Sequence, residues 1–194
     1  MQICFERMTV ANGKDNSLIE LLGFMDRQFD RAREHENYFL SQAWLLDKDG
    51  RVPNTQVDYI FSHPTEQNRA RVMFTSVNAV AVAINKGEWR EDVFHPSEGG
   101  FICTFGWRWS NYIEKRRTTL GYEIAYENLI ELVDWMASKR LEEASKHYST
   151  DCVGDAELVW KRILKWTSQM KHTAGNMVEV KPIGYPTATM LDHS

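Results

Sequence analysis

Apolar side chains recur every three or four residues along most of this chain. The first clear run is Leu18, Leu21, Leu22, Met25, Phe29 and Ala32, with Asp26, Arg27, Asp30 and Arg31 between them. That period gathers the apolar set on one helical face and the charges on the other. Ser17-Leu18-Ile19-Glu20 has the form of a capping box, so a helix is expected from Leu18 to about Leu46, closed by Asp47-Lys48-Asp49-Gly50. Upstream, Asn12-Gly13-Lys14-Asp15-Asn16 is a run of turn formers, which predicts a short N-terminal arm or strand over residues 1–16. Pro53 and the short alternation Val57-Asp58-Tyr59-Ile60 predict a connector over residues 51–62.

Ser62, ahead of His63-Pro64-Thr65-Glu66, predicts the next cap, because a proline in the first turn lacks only an amide the helix leaves unused. The second helix is expected over Pro64 to Asn85 and to end at Gly87. Its stretch from Val72 to Ile84 is apolar nearly all round, as a central helix packed on several sides must be. Trp89, Val93 and Phe94 predict a short amphipathic turn before His95-Pro96-Ser97-Glu98-Gly99-Gly100. A third helix then carries Phe101, Phe105, Trp109, Tyr112, Ile113 and Arg116 along one side. Gly121 separates it from a fourth, about Tyr122 to His147, with Ile124, Ala125, Leu129, Leu132, Val133, Met136 and Leu141 at helical spacing. Asp155 caps a fifth, whose apolar set is Leu158, Val159, Ile163, Leu164 and Trp166. After Gly175, Val178, Pro182, Gly184 and Pro186 preclude another long helix. The expected fold is therefore all-α: a single bundle of about five helices over residues 1–174, with a short N-terminal arm and an irregular tail over residues 175–194.

Composition narrows the function classes. Of 194 residues, 43% are hydrophobic and 26% charged, with a net charge of −4, which excludes a whole-surface attraction to nucleic acid and leaves only a local patch. The three cysteines, Cys4, Cys103 and Cys152, form no close pair, so neither a disulfide framework nor a zinc site is expected. No cofactor is implied. Met1–Val10 interrupts its apolar run with Glu6 and Arg7, unlike a signal-peptide core, and no segment reaches the roughly 18 apolar residues of a membrane span. A cytoplasmic protein without membrane contact is expected. Aromatic residues make up 12% of the chain, enough for a core with some left over for a partner-binding face.

Residues 69–117, followed by Tyr126-Glu127-Asn128-Leu129, carry a set of features that occur together: Arg71 ahead of the long apolar helix, Asn78 within it, and the Gly87-Glu88-Trp89 turn with an acidic pair behind it. Trp109 and the charged end Glu114 to Arg117 complete the set. In these the chain resembles a family of uncharacterised bacterial and phage-encoded helical proteins. The resemblance covers about half the chain. The family usually has a glutamate a few residues after the asparagine, where this chain has the wholly apolar Ala79 to Ile84, and some members carry an N-terminal membrane helix that this chain lacks. What it implies is an all-helical fold and an origin in a mobile element, with no activity and no catalytic residues.

Arg140 and His147, with six residues between them near the end of the fourth helix, resemble the motif of the HEPN ribonucleases. In those helical bundles an arginine and a histidine from each of two subunits meet at the scissile phosphate. A guanidinium can hold the phosphate and an imidazole can move a proton near neutral pH. Leu141 stands where a polar residue is usual, and cations near a helix C-terminus are also explained by the helix dipole. His63-Pro64-Thr65 and His147-Tyr148-Ser149 resemble the paired motifs of two-histidine phosphoesterases, but here both fall at helix ends, where capping accounts for them.

Trp107, Arg108 and Trp109 with Lys115, Arg116 and Arg117 combine aromatic and cationic groups, the ingredients for stacking bases, holding phosphates or docking a protein partner. Helical spacing instead turns Trp109 and Ile113 inward and leaves the basic side chains solvated. Glu34, Glu36, Glu142 and Glu143 lack the Glu-x-x-His arrangement of a helical carboxylate metal site and are expected to form a solvated face. Asn78 is expected to be a buried amide fixing helix register, and Arg71 to pair with a carboxylate such as Glu127. Together these features favour a non-enzymatic protein-binding module, an inhibitor or regulator of a host factor. The alternative is a HEPN-like ribonuclease acting through Arg140 and His147. A protein partner is expected ahead of nucleic acid, and a homodimer is compatible with both.

Overall fold

Helical periodicity dominates the chain, and the computed structural model, which describes residues 2–42, 46–85, 91–119, 125–147 and 155–175, is helical in nearly all of them. Seven helices follow in order: α1 (Gln2–Ser41), α2 (Asn54–Ser62), α3 (Pro64–Asn85), α4 (Glu91–Arg108), α5 (Ser110–Thr119), α6 (Glu127–His147) and α7 (Asp155–Gly175). The described part is all-α, as the periodicity predicts, with more helices than five.

The departures from the expected pattern lie at three places, two of which add a helix. The backbone of α1 stays helical through Asn12 to Asn16, so the expected arm is the first part of a long helix. Each turn former there costs only about 0.5–1 kcal/mol of helix propensity, and helix extension is cooperative. The expected connector over 51–62 contains α2, since Val57 and Ile60, three apart, are both fully buried, and Pro53 leads in with extended backbone. Ser62 is therefore the last residue of α2, its hydroxyl donating to the Tyr59 carbonyl rather than capping α3. The expected third helix is split at Trp109, and its first half begins ten residues early: α4 runs through Pro96, Gly99 and Gly100.

The fourth helix is shorter than expected, beginning at Glu127. Before it, Tyr126 adopts φ 62°, a conformation rare for a side chain of this size. Its ring lies 4.8 Å from that of Phe74, and its carbonyl accepts the first α6 hydrogen bond from Ile130 at 2.9 Å. Packing on α3 thus offsets the backbone strain. Of the expected tail, 175–194, Gly175 is the last residue of α7, and 176–194 lie outside the described part.

The core sits around α3, which packs on α1, α2 and α6; α6 in turn packs on α4 and α7. Phe74 is its centre. Its ring stacks on Tyr112 at 4.6 Å and meets Phe105 and Trp109 edge-on at 5.3 and 6.0 Å. Such pairs contribute about 0.5–1.5 kcal/mol each beyond the area they bury. α4 and α6 touch through Gly106, where an added Cβ would lie 2.6 Å from Val133 Cγ2, so only glycine allows that approach. On α7, Ile163, Trp166 and Met170 are buried but Leu158 and Val159 are not, so its inward stripe starts a turn later than expected.

Candidate functional site

The segment from Trp107 to Arg117 spans the corner between α4 and α5, and the corner explains most of its unusual residues. Trp109 is fully buried and its indole N–H donates to Glu36 Oε1 at 3.0 Å. The same oxygen accepts from Arg108 Nη1 at 2.8 Å. Glu36, only 4% exposed, is thus a buried counter-ion and not part of a solvated acidic face. Its position shows the reason: with Phe29, Ala32 and Phe39 it completes a spacing of three and four on the inward stripe of α1.

The turn after α1 is stitched to the same corner. Asp47 Oδ1 accepts from the amides of Asp49 and Arg51, and Gly50, at φ 76°, closes the turn where a side chain would be strained. Trp107 donates from its indole to the Asp49 carbonyl at 2.7 Å, with Arg51 over its ring at 5.3 Å. Asn111 Nδ2 donates to the Val52 carbonyl at 2.8 Å, and the Val52 amide donates to the Arg108 carbonyl at 2.7 Å. The Val52 backbone thus finds both of its partners at the corner, an end-of-helix carbonyl that α4 leaves unused and the Asn111 side chain.

The basic triplet separates in the same way. Lys115 pairs with Asp58 of α2 and lies 5.3 Å from the centre of the Phe61 ring. Arg117 is 3% exposed, not solvated, and donates to the carbonyls of Ala125 at 3.0 Å and Met170 at 3.4 Å, tying α5 to α7. Arg116 is half-buried and borders a cleft together with Arg71. Of the six residues, the structure brings Arg108 and Trp109 together on Glu36, while the charge of Arg116 acts on the phenols of Tyr112 and Tyr126.

Arg71 does not pair with Glu127. It donates to Asn68 Oδ1 at 2.8 Å one turn back on α3, while Glu127 is exposed in the first turn of α6, where a carboxylate favours the helix dipole. Asn78 is half-buried and its Oδ1 is enclosed without a hydrogen-bond donor. The link between α3 and α6 is made instead by Asn85, whose amide donates to Glu131 Oε2 at 3.0 Å.

Arg140 lies on α6 and pairs with Glu143 at 3.5 Å, close enough to Cys103 for its charge to act on the thiol. His147 is the last residue of α6, and its side chain falls outside the described part. Burial pushes the Cys103 thiol up to about 12, with Arg140 opposing it, so this cysteine is a protonated core residue at neutral pH. His63 closes α2, its Nδ1 2.8 Å from the Tyr59 carbonyl and its ring stacked on Tyr59 at 3.9 Å. Among the described residues no group of three His, Cys, Asp or Glu side chains is placed to hold a metal, and no helix is long and apolar enough to cross a membrane.

Three surface features remain. A cleft of about 330 Å³ is lined by Tyr38, Gln42, Thr55, Gln56, Tyr59 and Glu66, with the Tyr38 hydroxyl donating to Glu66 Oε1 at 2.9 Å, a bond that raises the Tyr38 phenol above its ordinary range. Two further clefts, of about 470 and 360 Å³, share Arg71. The third is apolar: Leu158 and Val159, 46% and 40% exposed, stand side by side on α7. Arg162, one turn on from Leu158, reaches Asp49 at 3.2 Å, and Asp49 is three residues from Leu46, which is also exposed. No protein-family description, curated protein or solved structure matches this chain.

Proposed function

We propose that the protein is a non-enzymatic protein-binding module that docks a partner on the N-terminal half of α7. The observation that carries this is the adjacent, exposed pair Leu158 and Val159 on a helix whose other aliphatic side chains are turned inward. Isolated exposed leucines are ordinary, but two adjacent exposed aliphatic side chains next to a half-buried Trp160 make a patch with the aromatic and aliphatic content of an interface centre. The Arg162–Asp49 pair at its edge supplies a polar rim. The resemblance of residues 69–117 to a phage and bacterial family supports a host factor as the partner, with inhibition or regulation as the consequence. The alternative, a HEPN-like ribonuclease acting through Arg140 and His147, is separated from it by one experiment.

Affinity capture from a bacterial lysate, with and without nuclease, is run on wild type, on Leu158→Asp/Val159→Asp and on Arg140→Ala/His147→Ala. The expected result is a stoichiometric protein retained after nuclease by wild type and by the Arg140/His147 variant, and lost from the Leu158/Val159 variant. RNA cleavage by wild type that disappears in the Arg140/His147 variant would overturn the binding module in favour of the ribonuclease.

A further inference from the structure

Among the described residues, Tyr38 and Gln42 at the end of α1, Thr55, Gln56 and Tyr59 of α2, and Glu66 in the first turn of α3 line one cleft of about 330 Å³. Each of these side chains ends in a hydrogen-bonding group. The volume is at the lower end of the roughly 300–1,000 Å³ of pockets that hold small ligands.

Glu66 is the residue that needs explaining. It is only 9% exposed, and its two oxygens differ. Oε1 accepts from the Tyr38 hydroxyl at 2.9 Å, whereas Oε2 is enclosed and receives no hydrogen bond. A carboxylate oxygen shut away from water without a donor is a standing cost to the folded chain, and a donor that enters the cleft removes it.

The neighbours select the kind of donor. Arg69, one turn on from Glu66, lies over the Tyr38 ring at 4.1 Å, and the two charges act on the Tyr38 phenol in opposite senses, Glu66 raising its pKa and Arg69 lowering it. An incoming cation therefore meets Arg69 as well as Glu66, and an incoming anion meets the carboxylate. A neutral hydroxyl meets neither penalty. Thr55 Oγ1 donates to Gln56 Oε1 at 2.6 Å, which leaves the Gln56 amide hydrogens to donate in a cleft whose carboxylate accepts. Tyr59 adds a ring that is stacked on His63 at 3.9 Å and still 46% exposed. A pyranose has the matching set: neighbouring hydroxyls that each donate and accept, and an apolar carbon face.

We infer that this cleft binds a neutral sugar ring, with Glu66 Oε2 accepting from one hydroxyl, the Gln56 amide donating to the next and the Tyr59 ring covering the carbon face. Gln42, exposed at the rim, rotates to admit the hydroxyl to Oε2. A free sugar and the end of a glycan chain present the same ring. The site uses none of the residues of the α7 patch and does not depend on it.

The test is a titration followed by the backbone amide NMR shifts of Tyr38, Gln42, Gln56 and Glu66. The probes are glucose, mannose, galactose and N-acetylglucosamine, their methyl glycosides, and two charged molecules, spermidine and inorganic phosphate. Each is taken to about 50 mM, well above the Kd on the order of 1 mM expected for a single ring. The expected result is that at least one sugar shifts these amides saturably and that spermidine and phosphate do not. Glu66→Gln exchanges a charge-assisted hydrogen bond for a neutral one and weakens binding about tenfold, and Gln56→Ala weakens it about threefold. Gln56→Ala, at a half-buried position of α2, carries the test if Glu66→Gln does not fold. Leu158→Asp/Val159→Asp leaves the affinity unchanged. A methyl glycoside bound as well as its parent sugar assigns the site to the end of a glycan, and binding lost on methylation assigns it to a free sugar. No saturable shift with any sugar, saturable binding of spermidine or phosphate at these amides, or wild-type affinity in both cleft variants would overturn the site. Failure of the lysate capture leaves this result untouched, since the two use different surfaces and different probes.

Discussion

Arg108 and Arg117 at the α4–α5 corner and Arg31 of α1 and Arg71 of α3, which line one cleft, are the same residue type in opposite circumstances. At the corner each guanidinium is fully or largely enclosed and its hydrogen bonds go to a buried carboxylate or to backbone carbonyls. In the clefts beside α3 both guanidinium groups are exposed, and the polar groups lining those clefts with them, among the described residues, are amides, hydroxyls and Arg116. A buried charge is tolerated only with a partner in good geometry, whereas an exposed one is satisfied by water and remains available to a ligand. The corner is therefore part of the scaffold, and the clefts beside α3 are open surface.

The difference is broken most severely at Glu36. Glu36→Ala leaves Arg108 and the Trp109 indole without their shared acceptor, and the expected loss of stability is about 3–5 kcal/mol, read as a lower urea midpoint. A loss below about 0.5 kcal/mol would place this pair with ordinary surface ion pairs.

A smaller effect of opposite sign is expected at Glu114, which lies in α5 between the two regions. Burial raises its carboxyl above the ordinary value, with the Arg51 charge opposing; the Trp166 indole approaches it without closing a regular hydrogen bond. The folded chain thus holds this proton more tightly than the unfolded chain. Its favourable contribution is present below the unfolded value of 4.5 and is lost as pH rises through the raised folded value. Glu114→Gln is expected to raise the urea midpoint at pH 7 and to leave it unchanged at about pH 3.5. A variant less stable than wild type at pH 7 would show that the Arg51 attraction outweighs the desolvation.

The smallest change in stability belongs to the clefts. Arg31→Gln and Arg71→Gln, both exposed, are expected to stay within about 0.5 kcal/mol of wild type in thermal unfolding. A loss comparable to that of Glu36→Ala would make Arg71 a structural residue and erase the contrast.

How much of this was legible depended on how local the signal was. Pro64 to Asn85 is a helix at the expected ends, because a long apolar run after a first-turn proline leaves no competing period. Val57 to Ile60 misled because four residues of alternation fit a strand and a helix equally, and burial of Val57 and Ile60 against α3 and α5 decided between them. Trp109, Tyr112 and Ile113 point inward as their spacing predicts, but the break at Trp109 has no local cue, since there the Arg108 carbonyl accepts from the remote Val52 amide. Leu158 and Val159 fit the helical period of α7 and yet remain outside the packed face. Among the candidate site residues, Arg71 carried the right prominence for the wrong partner: Glu127 is exposed elsewhere, and Arg31 from α1 shares its cleft.

By itself the sequence determined that the described chain is helical, that α3 is its centre, and most of the apolar side chains that face inward, because these follow from a period of 3.6 and from the hydrophobic effect acting on it. Only the tertiary structure decided which charged residues are scaffold and which are surface. Glu36 and Arg108 meet across 72 positions, and Arg31, Arg71 and Arg116 share adjoining clefts from three helices. The free energy of a charge is set by the solvent and partners around it, and those are supplied by residues remote in the chain.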